Sequence, residues 1–85
     1  MTMHQIYLDN ANKVTNFIQE ITAIDLDADI RPANSHFTVD AKSIMGLFAM
    51  DLTQPMCLMI NSFEPSQQTR IQNLIAHFSQ KENAC

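Results

Sequence analysis

Apolar residues recur along the chain with two periods, and the switches between them mark out a succession of strands and helices. The segment His4-Gln5-Ile6-Tyr7-Leu8 alternates, which predicts a strand turning Ile6 and Leu8 inward. Beyond Asp9 and Asn10, either of which can cap a helix, Val14, Phe17, Ile18 and Ile21 fall at i, i+3, i+4 and i+7, the spacing of one helical face. Residues 26–30 alternate apolar with acidic, as in a half-buried strand with its carboxylates in water. Arg31-Pro32-Ala33-Asn34-Ser35 is turn chemistry. Residues 36–41 alternate again, so a hairpin is expected with Phe37 and Val39 inward. Ser43 stands before a short apolar helix over 44–50, where Gly46 costs about 1 kcal/mol relative to Ala and so points to close packing. The nearly continuous apolar run 56–63 has the length of a central strand, with Leu58 and Ile60 toward the helices. Pro65 suits the first turn of a last helix, whose apolar face is Ile71, Leu74, Ile75 and Phe78. The order βαββαβα predicts an α+β open-faced sandwich with helices on one side of a four-stranded sheet.

The 85 residues leave room for one domain, 1–85, with one modest core. A formal net charge of −4, with Lys13, Arg31, Lys42, Arg70 and Lys81 scattered, excludes the basic face that nucleic acid requires. No stretch approaches the roughly 20 apolar residues of a membrane helix. The first eight residues lack the cationic and apolar blocks of a secretory signal. Cys57 inside an apolar segment and Cys85 at the last position do not make a disulfide framework, and a reducing, cytoplasmic setting is expected.

Several candidate chemistries fail on spacing. His4, His36 and His77 fall on three separate elements without metal-ligand spacing, and read as structural histidines. Asp25, Asp27 and Asp29 imitate the start of a calcium loop, but Ile30 and His36 stand where that loop needs Gly and Glu, so no metal is expected. The Lys42-Ser43-Ile44 segment lacks the Asp that precedes a phosphopantetheine-bearing serine, and no cofactor is expected. Cys57 has no base near it in sequence and reads as a buried thiol. If Leu58 and Ile60 face the helices, then Tyr7, Cys57, Met59 and Phe63 fall on the uncovered face, an apolar patch suited to a partner or a dimer.

The segment Val39-Asp40-Ala41-Lys42-Ser43-Ile44-Met45-Gly46-Leu47 resembles the signature around the regulatory serine of the HPr family of the sugar phosphotransferase system. Phe17-Ile18-Gln19-Glu20 is similar to the end of that family's first helix, and the downstream spacing agrees, with a short insertion ahead of Ser43. The resemblance spans nearly the whole chain and implies an HPr-like fold: a four-stranded antiparallel sheet with three helices on one face. It also implies a departure. Aligned through Phe17, Asn10 takes the place of the family's phosphorylated histidine, Asn12 that of its arginine and Lys13 that of its proline. Asparagine has no nitrogen lone pair with which to attack a phosphoryl group, and Asn12 has no guanidinium to pair with one. Histidine phosphotransfer is therefore expected to be absent, as in a catabolite-repression paralogue that keeps the serine and has glutamine for the histidine.

The same resemblance makes Ser43 a candidate phosphorylation site, with Lys42 beside it and Ile44 and Met45 as candidate partner contacts for a serine kinase or transcriptional regulator. Ser43 reads equally as an ordinary helix N-cap, and Ile44 and Met45 as core. The expectation is a non-enzymatic regulatory binding protein. Its rivals are an interaction module that kept only the fold, and an active phosphocarrier using another histidine.

Overall fold

A computed structural model describes residues 2–79, and the expected elements form there in the expected order. They are β1 (Thr2–Ile6), α1 (Ala11–Thr22), β2 (Leu26–Pro32), β3 (Val39–Asp40), α2 (Ile44–Phe48), β4 (Met56–Phe63) and α3 (Gln68–Phe78). The strands form one sheet in the order β1-β4-β2-β3, with every neighbouring pair antiparallel. Ile6, Ala28, Ile30, Met56, Leu58 and Ile60 are buried on one side of it, in a single core with Val14, Phe17 and Ile21 of α1, Leu47 of α2 and Ile71, Leu74 and Phe78 of α3. Phe17 meets Phe78 edge to face with ring centroids 5.4 Å apart, which joins α1 to α3 at the centre. No polar or charged side chain among the described residues is buried. No described helix is long and apolar enough to cross a membrane.

Three boundaries differ from the sequence reading, each for a local reason. Leu8 is buried as expected, yet β1 stops at Ile6 because the Tyr7 amide donates to the Phe78 carbonyl (2.8 Å) instead of continuing the ladder. The hairpin strand expected over 36–41 shrinks to Val39–Asp40, and Phe37, expected inward, is 50% exposed. Local bonds take over there: the Arg31 guanidinium donates to the Ser35 carbonyl (3.0 Å), Ser35 Oγ accepts from the Phe37 amide (3.0 Å) and Thr38 Oγ1 donates to the His36 carbonyl (3.2 Å). Asp29 and Asp40 are moreover directly opposite in the β2–β3 register, a like-charge pairing that favours a short ladder. Finally, Pro65 opens a 3-10 turn (Pro65–Gln67), and the α-helix proper begins at Gln68.

The fourth strand holds one irregularity that sequence alternation cannot show. Ala28 pairs with Ile60 but Asp27 pairs with Ser62, so Asn61 is an extra residue on β4 and donates from Nδ2 to Asp29 Oδ2 (3.1 Å). Past this bulge the alternation flips. Phe63 then pairs with Leu26 on the helix side, and does not share the open face with Met59.

Candidate functional site

Two helix starts carry the residues singled out in the sequence. At the first, Asn10 has extended backbone (φ −154°, ψ 166°), and its side-chain oxygen accepts from the Lys13 amide at 2.9 Å, so Asn10 is the N-cap of α1. Its carbonyl takes the first helical bond, from the Val14 amide (3.2 Å). Lys13 Nζ lies 3.4 Å from Asp9 Oδ1, an i,i+4 ion pair with both side chains largely shielded. Asn12 is exposed. This helix start thus offers a carboxamide and a lysine paired with a neighbouring carboxylate, and no imidazole.

The three histidines lie elsewhere. His4 on β1 is within hydrogen-bonding distance of Thr2 Oγ1 (3.0 Å), and His36 is exposed in the turn before β3. His77 near the end of α3 contacts Glu20 Oε2 (3.1 Å) and rests on the Phe78 ring, with centroids 4.5 Å apart. None occupies the start of a helix.

At the second helix start, Ser43 is also an N-cap. Its Oγ accepts from the Gly46 amide (3.2 Å) and its carbonyl from the Leu47 amide (3.0 Å). Gly46 is there because α2 lies directly on β3: a Cβ at that position would stand 3.0 Å from Val39 Cβ, 3.1 Å from Val39 Cγ1 and 3.0 Å from Ser43 Oγ. Ser43→Ala should lower stability by about 1 kcal/mol through the lost cap, and Ser43→Asp should be neutral or mildly stabilising. Urea denaturation of both variants measures this; a neutral Ala with a strongly destabilising Asp would contradict the capping role.

The neighbours of Ser43 differ from the sequence reading in two respects. Lys42, expected to stand beside a phosphate on Ser43, sends its Nζ to the Ile24 carbonyl (2.9 Å) just past the end of α1. Arg70 Nη1 reaches the adjacent Ala23 carbonyl (3.1 Å), so two cations from distant elements satisfy the carbonyls at this helix end. Lys42 therefore clamps the β3–α2 turn to α1. The second difference concerns the core reading of Ile44 and Met45. Only Leu47 of α2 is buried, whereas Ile44 is 39%, Met45 80% and Phe48 46% exposed. A five-residue helix pressed onto β3 has one inward position, and its other apolar side chains form an exposed patch. Phe48 joins this patch from the position i+4 to Ile44, a spacing that local sequence carries.

No protein-family model matches this sequence, and no curated protein sequence does. Solved structures do. The phosphocarrier protein HPr from Bacillus anthracis str. Ames matches over 91% of this chain and 93% of its own, with 24% identity and a TM-score of 0.62. HPr-C-His from Thermoanaerobacter tengcongensis matches over 92% of this chain and 91% of its own, with 20% identity and a TM-score of 0.65. At these identities the likeness establishes the fold: an α+β open sheet of four antiparallel strands with three helices, as in HPr.

Proposed function

We propose that this protein is a divergent HPr-like member of the phosphotransferase system family that carries no phosphate on histidine and is not an enzyme. It acts in the cytoplasm by binding a protein partner through α2. The observation that carries this reading is Asn10 at the N-cap of the first helix of an HPr fold, where the resemblance places the phosphorylated histidine. A carboxamide committed to a backbone amide holds a helix start together but cannot accept and release a phosphoryl group. Incubation with phosphoenolpyruvate and the general phosphotransferase enzyme, with an active HPr as control, should yield no phosphoprotein. Acid-labile phosphate on His4, His36 or His77 would overturn this reading and revive the phosphocarrier alternative. Restoring Asn10→His alone should recover little transfer, because Asn12 still lacks a guanidinium and Lys13 is paired with Asp9.

The binding half of the proposal rests on the patch of Ile44, Met45 and Phe48, exposed around an N-cap serine. Phosphate on Ser43 Oγ would add charge beside this patch and change what it accepts, a switch written by a kinase. With Lys42 Nζ bound at Ile24, the phosphate would draw first on the amides that begin α2. Mass spectrometry of the native protein for phosphoserine at Ser43 is the direct test. The rival interaction module would use the uncovered sheet face, with dimerisation as one outcome. That face is less apolar than alternation implied, since Asp29, Arg31 and Asn61 share it with Met59 and Cys57 and the bulge removes Phe63 from it. The α2 patch is the better partner surface on that ground.

A further inference from the structure

The uncovered face of the sheet has a particular composition where β1 meets β4. Toward the helices these strands bury Ile6, Met56, Leu58 and Ile60; on the open side they carry Met3, Gln5, Cys57 and Met59. Every apolar side chain in that open-side set contains sulfur. Met3 and Met59 are directly opposite in the β1–β4 register, which sets their Cβ atoms about 5 Å apart. Cys57 is two residues from Met59 on the same strand and face, a separation of roughly 7 Å. Met3 and Cys57 line one open depression of about 210 Å³, which His4, Gln5 and Arg31 also line and Met59 does not; Met59 is joined to them by its place opposite Met3 on the ladder. Met3 is 55% exposed, Cys57 and Met59 are half-buried, and Cys57 is a free thiol, so each of the three residues keeps part of its surface in solvent.

We propose that Met3, Cys57 and Met59 form a site for a soft monovalent metal ion of the Cu(I) class, held by two thioethers and one thiolate. Thioether and thiolate sulfur select soft ions, and hard cations require oxygen donors that these three residues lack. Unbranched methionine side chains have three rotatable bonds each, enough to converge on an ion from the spacing of this ladder. On binding, the Cys57 thiol releases one proton to solvent, and the thiolate and the ion neutralise each other. Among the described residues there is no group of three His, Cys, Asp or Glu that could hold a metal, so this sulfur trio has no competing cluster of the usual ligand types there. The inference stands independently of the proposed regulatory role, since it uses the opposite side of the sheet from α2.

The test is an anaerobic titration of the full chain with Cu(I) against a chromophoric Cu(I) chelator, supported by NMR with Ag(I) as a redox-inert probe. One equivalent should bind. The methyl resonances of Met3 and Met59 should shift while that of Met45, on α2, does not. Met3→Leu and Met59→Leu should each weaken binding by at least the roughly 10- to 100-fold that loss of a supporting outer-shell partner causes, and Cys57→Ser by more. Cys85→Ser should bind as the unmodified chain does. The leucine variants conserve side-chain volume at partly exposed positions, and the silver experiment needs no variant. Undiminished binding in both leucine variants, equal shifts at Met45, loss of binding in Cys85→Ser, or no binding of one equivalent would each overturn the proposal.

Discussion

Ile60→Lys is expected to leave the chain unfolded at room temperature, while Met59→Lys, one residue earlier on the same strand, leaves it folded. Ile60 is 4% exposed and lies on the helix side of β4, between Thr2 on β1 and Ala28 on β2. No buried polar or charged side chain is found among the described residues, so an ammonium at this position finds no partner already in the core. A buried unpaired charge costs several kcal/mol, comparable with the whole stability of a small domain, roughly 5–15 kcal/mol and toward the low end at this size. Met59 points to the other side, is half-buried and stands opposite Asp29, so a lysine there gains a neighbouring carboxylate. Circular dichroism with urea titration distinguishes the two. Equal unfolding of both would mean that the open face is covered within the monomer; equal tolerance would mean that the β4 register is shifted by one residue.

Gly46→Val should destabilise the protein by about 2 kcal/mol or more, through local overpacking in place of core loss. The new Cβ would begin 3.0 Å from Val39 Cβ, an atom fixed to the strand backbone, so relief requires α2 to lift from β3. A β-branched residue in a five-residue helix adds its own penalty of a few tenths of a kcal/mol. Because the displaced element carries Ile44, Met45 and Phe48, any partner affinity that depends on this patch should fall with it. Amide hydrogen exchange should show lost protection confined to α2 and β3, with α1, α3 and the β1–β4 ladder retained. Gly46→Ala behaving like the unmodified protein, with Gly46→Val no worse than a surface substitution, would show that the contact with Val39 is not limiting.

Element type and order were legible because period-2 and period-3.6 spacing survive wherever one face of an element is buried. Val14, Phe17 and Ile21 in α1, Ile71, Leu74 and Phe78 in α3 and the alternation through Ile60 in β4 all carry that imprint, and all are buried. The caps were legible too, since Asn10 and Ser43 act on amides three residues away, within the reach of local sequence. The candidate site was legible at the level of which residues occupy the two helix starts.

What the chain does with those residues at longer range was not. Lys42 follows Ala41 and precedes Ser43, yet its ammonium binds a carbonyl 18 positions back, because the end of α1 presents unsatisfied carbonyls beside the turn before α2. Ile44 and Met45 have the composition of core, and only the docking of α2 onto β3 through Gly46 decides that Leu47 alone turns inward. Phe37 and Phe63 obey strand alternation on paper. The first is released by side-chain bonds that compete with the ladder, and the second is reversed by one extra residue opposite Asp27 and Ala28. Sequence by itself therefore determined the elements, their order, their caps and the absence of histidine at the start of the first helix, since each depends on neighbours within about one turn or one strand repeat. Only the tertiary structure decided which apolar residues reach solvent and what Lys42 holds. Those outcomes depend on which backbone groups and faces distant segments bring together, and local periodicity carries no record of that.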